Sequence, residues 1–93
     1  GDTLLIFDLY TNWCTPCKTL SPVLEEIAFD NQRKVRMYRV DSDRLPALAH
    51  ALGVRNIPFV LFVKNGRAIY AITGVHPRED YQQAIDEFTP EEL

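Results

Sequence analysis

The stretch that decides the fold is residues 3–18, which read TLLIFDLYTNWCTPCK. Its first half, Thr3–Tyr10, is an almost continuous apolar run and predicts a strand buried on both faces of a sheet. Its second half carries two cysteines three positions apart, Cys14 and Cys17, where an amphipathic segment begins. A cysteine pair between a buried strand and a helix favours a redox site more strongly than the pair alone.

The segment that follows predicts a helix from about Cys14 to Asn31. Its apolar residues share one helical face; they are Leu20, Val23, Leu24, Ile27 and Ala28. Pro16 fits the first helical turn, whose N–H groups have no partner inside the helix, whereas Pro22 should kink the helix. The alternating segment Val35–Val40 predicts a second strand. A strand, a helix and a strand in this order predict two parallel strands.

The middle of the chain predicts a short second helix. Ser42 and Asp43 are candidate N-caps for a helix over Leu45–Leu52, and Gly53 should end it.

The last third predicts a hairpin and a closing helix. Two apolar runs, Pro58–Val63 and Ala68–Thr73, flank a turn over Lys64–Arg67 that contains an Asn-Gly pair, a strong hairpin signal. The amphipathic segment Glu79–Phe88 predicts the last helix. The fold class is therefore α/β, with the order βαβ-α-ββ-α and a mixed four-stranded sheet flanked by helices. We expect one domain over residues 1–93.

Composition excludes several classes of protein. The 93 residues carry 13 acidic and 10 basic side chains, a net charge of −3, and 46% of them are hydrophobic, as in an ordinary globular domain. The longest stretches without a charged residue have ten residues, whereas a membrane-spanning helix needs about 18 or more. A slightly acidic chain without a basic cluster also argues against nucleic-acid binding.

The spacing of the two cysteines argues for chemistry over structure. A bond between Cys14 and Cys17 would close a very short loop, and the stabilisation by a disulfide grows with loop length. Half of a zinc site is the other alternative, but His50 and His76 lie 33 and 59 residues beyond Cys17, outside finger-like spacing. We therefore expect no metal.

The sequence resembles the thioredoxin family along nearly its whole length. The resemblance rests on the WCTPC motif of residues 13–17, on Asp8 six residues before Cys14 and on Pro22 five residues after Cys17. It also includes Ile57-Pro58, Lys64-Asn65-Gly66 and Gly74. The chain departs from the family at Thr15, commonly Gly, at Tyr10, often Trp, and at Arg39, often Lys. The usual N-terminal strand and helix are also lacking, which would leave the second strand at a sheet edge.

The resemblance implies roles for three residues in thiol–disulfide exchange. Cys14 attacks a disulfide, because the helix start favours its thiolate, and the more buried Cys17 resolves the mixed disulfide. Asp8 takes the proton of Cys17; burial in an apolar strand would raise the pKa of its carboxyl. The alternative for Asp8 is an exposed carboxylate paired with Arg39.

The resemblance also implies a substrate groove beside the dithiol. Its expected residues are Trp13, Ile57, Pro58, Gly74 and Val75. Trp13 should be an exposed platform, whereas Tyr10 could equally pack under the loop. The Ile57-Pro58 bond, which sequence statistics alone would make trans, should be cis as in the family. The backbone of Ile57 could then pair with an extended substrate segment.

Three residues around the pair are expected to tune its redox potential: Thr15, Pro16 and Lys18. Lys18 could equally be a solvated lysine. His50 is expected to face solvent, and His76 to belong to a loop.

The leading prediction is a thioredoxin-like protein-disulfide reductase. It would use the Cys14–Cys17 pair and no other cofactor, act on disulfide-containing proteins and be re-reduced by a donor protein such as a thioredoxin reductase. An exported oxidant, isomerase or electron-relay domain of a larger protein is one alternative, and a non-enzymatic binding module is another. A cytoplasmic location is favoured, and a periplasmic or otherwise exported one stays open.

Overall fold

Seven helices and strands follow one another along residues 3–90, the part of the chain that the computed structural model describes. The outermost residues of the expected domain, 1–2 and 91–93, lie outside this part. The elements are β1 (Leu4–Tyr10), α1 (Thr15–Asp30), β2 (Val35–Asp41), α2 (Pro46–Ala51), β3 (Phe59–Lys64), β4 (Arg67–Thr73) and α3 (Arg78–Phe88). Their order confirms the predicted βαβ-α-ββ-α pattern. None of the helices in this part is long and apolar enough to cross a membrane.

The strands form one mixed sheet in the order β2-β1-β3-β4. β1 runs parallel to β2, as the βαβ pattern predicts, and antiparallel to β3. The hairpin between β3 and β4 turns at Asn65 and Gly66, whose φ angles of 52° and 77° suit an Asn-Gly pair. Within residues 3–90, β2 is an edge strand, as expected.

The main core lies between the sheet and the two longer helices. β1 contributes Leu4 and Ile6 to this side, and α1 and α3 cover it with residues such as Leu24 and Ile85. A smaller apolar cluster lies on the other face, where Leu9 packs near Ala49 of α2. Because α2 has only six residues, it covers little of that face.

The prediction that β1 is buried on both faces is therefore wrong for part of the strand. Leu5 and Phe7 on the α2 side are only half-buried. The ring of Phe7 instead stacks on the exposed ring of Tyr38 from β2, with 5.7 Å between the ring centroids.

The predicted N-caps of α2 are also wrong. The cap is Leu45, whose side chain makes no capping hydrogen bond, and Pro46 opens the helix with a φ angle that is already helical. Asp43 instead accepts a hydrogen bond from the indole N–H of Trp13. The predicted stop is confirmed, because Gly53 directly follows the C-cap and has a φ of 79°.

Candidate active site

The cysteine pair lies at the start of α1, shortly after the end of β1. Cys14 is the N-cap of α1 and Cys17 belongs to its first turn. A disulfide joins them across a Cα–Cα distance of 5.3 Å, and the backbone N–H of Cys17 donates to the Cys14 sulfur at 3.2 Å. Cys14 is 5% exposed and Cys17 is 2% exposed. The N–H groups and the dipole of this 16-residue helix favour negative charge at Cys14 when the bond is reduced.

Asp8 is fully buried on β1. Its Oδ2 accepts a hydrogen bond from the hydroxyl of Ser21 at 2.9 Å and lies 3.6 Å from Nε of Arg39. Burial raises the pKa of the Asp8 carboxyl above its usual value, while Ser21 and Arg39 lower it by less. The expected burial and raised pKa are therefore found, and the alternative of an exposed carboxylate is wrong, although Arg39 is the ion-pair partner that it named. The role of Asp8 as proton acceptor stays a prediction.

Sequence reasoning missed Ser21. A signal was present: Ser21 lies four residues after Cys17, on the face of α1 that is otherwise apolar and buried. A hydroxyl on that face, opposite a strand that carries a buried acid, indicates a hydrogen bond between the two.

Tyr10 contacts the side chain of Arg39, and its packing under the loop stays a prediction. The guanidinium carbon of Arg39 lies 4.0 Å from the centroid of the Tyr10 ring, a cation–π contact. The two departures from the family pattern nearest to Asp8 therefore contact each other.

A groove of about 610 Å³ opens beside the dithiol. Trp13, Cys14, Thr15, Pro16, Arg55 and Ile57 are among its lining residues. Trp13 is 70% exposed, as expected of a platform, and its indole N–H donates to Asp43 at 2.8 Å. Arg55 is a charged lining residue that the sequence analysis did not single out.

The other expected groove residues lie around a cis peptide bond between Ile57 and Pro58. The carbonyl of Pro58 accepts a hydrogen bond from the N–H of Gly74 at 2.8 Å. Gly74 has a φ of 82°, a conformation that favours glycine, and Val75 is exposed. The residues that line the groove include none of Pro58, Gly74 and Val75, whose part in substrate binding stays a prediction.

The remaining candidate residues lie next to the cysteine pair in sequence or elsewhere on the surface. Lys18 is exposed on α1, and its role in tuning, like those of Thr15 and Pro16, stays a prediction. His50 is exposed on α2. The ring of His76 contacts Asp80 and the carbonyl of Thr73, in agreement with the loop expectation. Residues 3–90 contain no cluster of three or more His, Cys, Asp or Glu that could hold a metal ion.

Comparison with known proteins gives matches along nearly the whole chain. A family model described as Thioredoxin matches residues 1–87. A thioredoxin of Listeria monocytogenes is 32% identical over 88 residues, which are 95% of this chain and 85% of that protein. The chloroplastic M-type thioredoxin of Spinacia oleracea is 33% identical over 84 residues, 90% of this chain. The chain spans about half the length of this and the other chloroplastic relatives it matches.

Solved structures of thioredoxins also superimpose on nearly the whole of this chain. A thioredoxin mutant from Halobacterium salinarum superimposes with a TM-score of 0.87 at 29% identity, covering 97% of this chain and 78% of the other. Thioredoxin from Malassezia sympodialis gives a TM-score of 0.86 at 34% identity, covering 96% and 80% of the two chains.

Proposed function

Because this chain belongs to the thioredoxin family, we propose that it is a thiol–disulfide oxidoreductase that reduces disulfide bonds in other proteins. The observation that carries the proposal is the Cys14–Cys17 disulfide at the start of α1, one helical turn from the hydroxyl that bonds the buried Asp8. In this proposal Cys14 supplies the attacking sulfur, Cys17 the resolving sulfur and Asp8 the proton acceptor.

The first step uses Cys14. In the reduced protein its thiolate attacks one sulfur of a substrate disulfide, and the S–S bond of the substrate breaks. The second substrate sulfur leaves as a thiolate and takes a proton from solvent. The product is a mixed disulfide between Cys14 and the substrate.

The second step uses Cys17 and Asp8. The thiol of Cys17 gives its proton to the carboxylate of Asp8, and the new thiolate attacks the sulfur of Cys14. The bond between Cys14 and the substrate breaks as the Cys14–Cys17 bond forms, and the substrate leaves as a thiolate that is then protonated. Two electrons have passed from the cysteine pair to the substrate, and the pair itself serves as the redox centre.

The groove beside Cys14 accounts for protein substrates. Trp13 and Ile57 line the same groove as Cys14 and offer apolar surface there, and the backbone of Ile57 can pair with an extended segment that contains the substrate cysteine. Each turnover ends with an oxidised pair, so a donor protein such as a thioredoxin reductase must reduce it again. A reducing compartment such as the cytoplasm suits this direction of electron flow.

Cysteine variants test this proposal. With dithiothreitol as reductant, the protein should accelerate the reduction of insulin, and Cys14→Ser should abolish the acceleration. Cys17→Ser, reduced beforehand and freed of dithiothreitol, should stop after the first step with insulin and accumulate a mixed disulfide, visible by mass spectrometry as a 1:1 adduct. Thr19→Ala, which removes an exposed hydroxyl of the same helix, serves as the control. Insulin reduction by Cys14→Ser at the wild-type rate would refute the proposal.

The redox potential tests the direction of electron flow. A midpoint near the value of about −270 mV typical of thioredoxin fits a reductase. A midpoint far above it would favour an oxidant or isomerase.

A further inference from the structure

The two carboxylate oxygens of Asp8 have different surroundings. Oδ2 accepts the hydrogen bond from Ser21 and faces Arg39. Oδ1 is buried and accepts no hydrogen bond from the described part of the chain. Since a buried carboxylate oxygen without a partner is costly, Oδ1 is the atom with the stronger tendency to take a proton.

The hydroxyl of Ser21 has only one available orientation. Nη2 of Arg39 lies 3.3 Å from the Ser21 oxygen, and a guanidinium can only donate hydrogen bonds. The oxygen of Ser21 therefore accepts from Arg39, and its single hydrogen points to Oδ2 of Asp8. Arg39 is itself held against the ring of Tyr10, so the contacts run in sequence from the protein surface to the buried carboxylate.

The position of Ser21 on α1 links this contact to the dithiol. Ser21 follows Cys17 by one helical turn on the same buried face, and residues four apart on a helix are neighbours, with Cβ atoms about 5–6 Å apart. The residue that orients the carboxyl of Asp8 therefore neighbours the residue that must lose a proton to it.

We propose that Ser21 is a positioning residue for the resolving step: its hydroxyl, oriented by Arg39, holds Oδ2 of Asp8, so that Oδ1 receives the proton of Cys17. The proposal rests on the proposed function and names a residue that acts in it. Ser21 exchanges no proton and touches no substrate. It determines which oxygen is available and over which pH range the carboxylate form exists.

The expected effect of removing the hydroxyl has a definite sign. A hydrogen bond to the charged carboxylate favours the charged form, so its loss raises the pKa of Asp8 further. The resolving step needs the carboxylate, so its rate should fall at low pH. The acid limb of its pH–rate profile should move to higher pH by about one pH unit. The other ionisable groups that interact electrostatically with Asp8 are Arg39 from β2, Glu25 from α1 and Tyr81 from α3. They are the same in every variant compared.

Stopped-flow kinetics with a symmetrical dithiobis-nitrobenzoate tests the proposal. The reduced protein releases one coloured thiolate when Cys14 attacks and a second when Cys17 resolves, so the two phases separate the two steps. The rates are measured against pH for wild type, Ser21→Ala and the exposed control Thr19→Ala. A second pair, Ser21→Thr and Ser21→Val, compares two side chains of the same shape with and without a hydroxyl and so separates packing from hydrogen bonding.

The proposal expects the acid limb of the second phase to move to higher pH in Ser21→Ala, and in Ser21→Val relative to Ser21→Thr, while the first phase keeps its pH profile. The pH midpoint of the Asp8 carboxyl-carbon signal in an NMR titration should move in the same direction in the oxidised variants, where no thiol reacts. The role of Ser21 would be overturned if the pH profile of the second phase were unchanged in both comparisons. It would also be overturned if the pH profiles of the two phases moved by the same amount. A wild-type protein that releases neither thiolate would instead overturn the proposed function.

Discussion

Replacing Asp8 by Asn should make the oxidised protein more stable at neutral pH. The carboxyl is fully buried, and burial raises its pKa above the ordinary value of 3.8. A carboxyl whose pKa is higher in the folded state binds more protons folded than unfolded, so its unfavourable contribution grows as pH rises from 3.8 through the folded-state pKa. An amide carries no charge and avoids that cost.

The magnitude follows from the contacts of the two oxygens. Oδ1 lies buried with no partner in residues 3–90, and an unsatisfied buried group costs about 1–3 kcal/mol. The lost ion pair with Arg39 offsets little of this, because the Arg39 side chain is 41% exposed and solvent screens its charge. The amide of Asn leaves the same position unpaired and removes only the extra cost of the charge, so Asp8→Asn should gain on the order of 1 kcal/mol, with each kcal/mol worth about 4–8 °C in Tm for a domain of this size.

Urea denaturation of the oxidised proteins across a pH series measures the gain. The difference in unfolding free energy between Asp8→Asn and wild type should be small at pH 3.8 and below, rise with pH, and level off above the folded-state pKa. Asp86→Asn on the exposed side of α3 is the matched control, because an amide oxygen can still accept from Gln82. A neutral-pH stability equal to or below wild type, or a gain that does not vary with pH, would refute the reasoning.

Three further variants test the groove, the backbone and the core. Trp13→Ala should raise KM for protein disulfides about tenfold while leaving small disulfides unaffected, because it removes an exposed aromatic contact surface; equal effects on both would contradict this. Gly74→Ala should cost about 1–2 kcal/mol in urea denaturation through its φ of 82° alone, since an added Cβ meets no atom within 4 Å. Ile85→Ala should cost about 2–5 kcal/mol, because Ile85 is fully buried in the main core; a loss no larger than that of the exposed Gln83→Ala would count against this packing.

The order of elements and the dithiol were predictable because each rests on a local pattern. The apolar run of β1 and the helical face of α1 have different periods, and the cysteines lie at their junction. The Asn-Gly turn gave the hairpin for the same reason, since its positive φ angles suit those two residue types. Local signals of this kind do not depend on what the rest of the chain does.

The wrong predictions concern residues whose partners lie far along the sequence. Asp43 has the composition of an N-cap, but its carboxylate binds Trp13, 30 residues away, while Pro46 starts the helix. Phe7 was expected to be covered, but coverage depends on the length of α2 and not on β1 itself. Ser21 was missed because the hydrogen-bond partner of a single hydroxyl on an apolar helical face lies on the facing strand, which the sequence of the helix does not show.

The edge position of β2 bears on how Asp8 can be fully buried and still have a cationic partner. Arg39 lies directly opposite Asp8 in the parallel register of β2 and β1. Because β2 is an edge strand within residues 3–90, Arg39 can reach Asp8 and Ser21 while part of its guanidinium remains hydrated. A cation buried as deeply as Asp8 would add a desolvation cost of its own. The arrangement thus lowers the cost of the carboxylate from the exposed edge of the sheet, while the Cys17 sulfur stays buried.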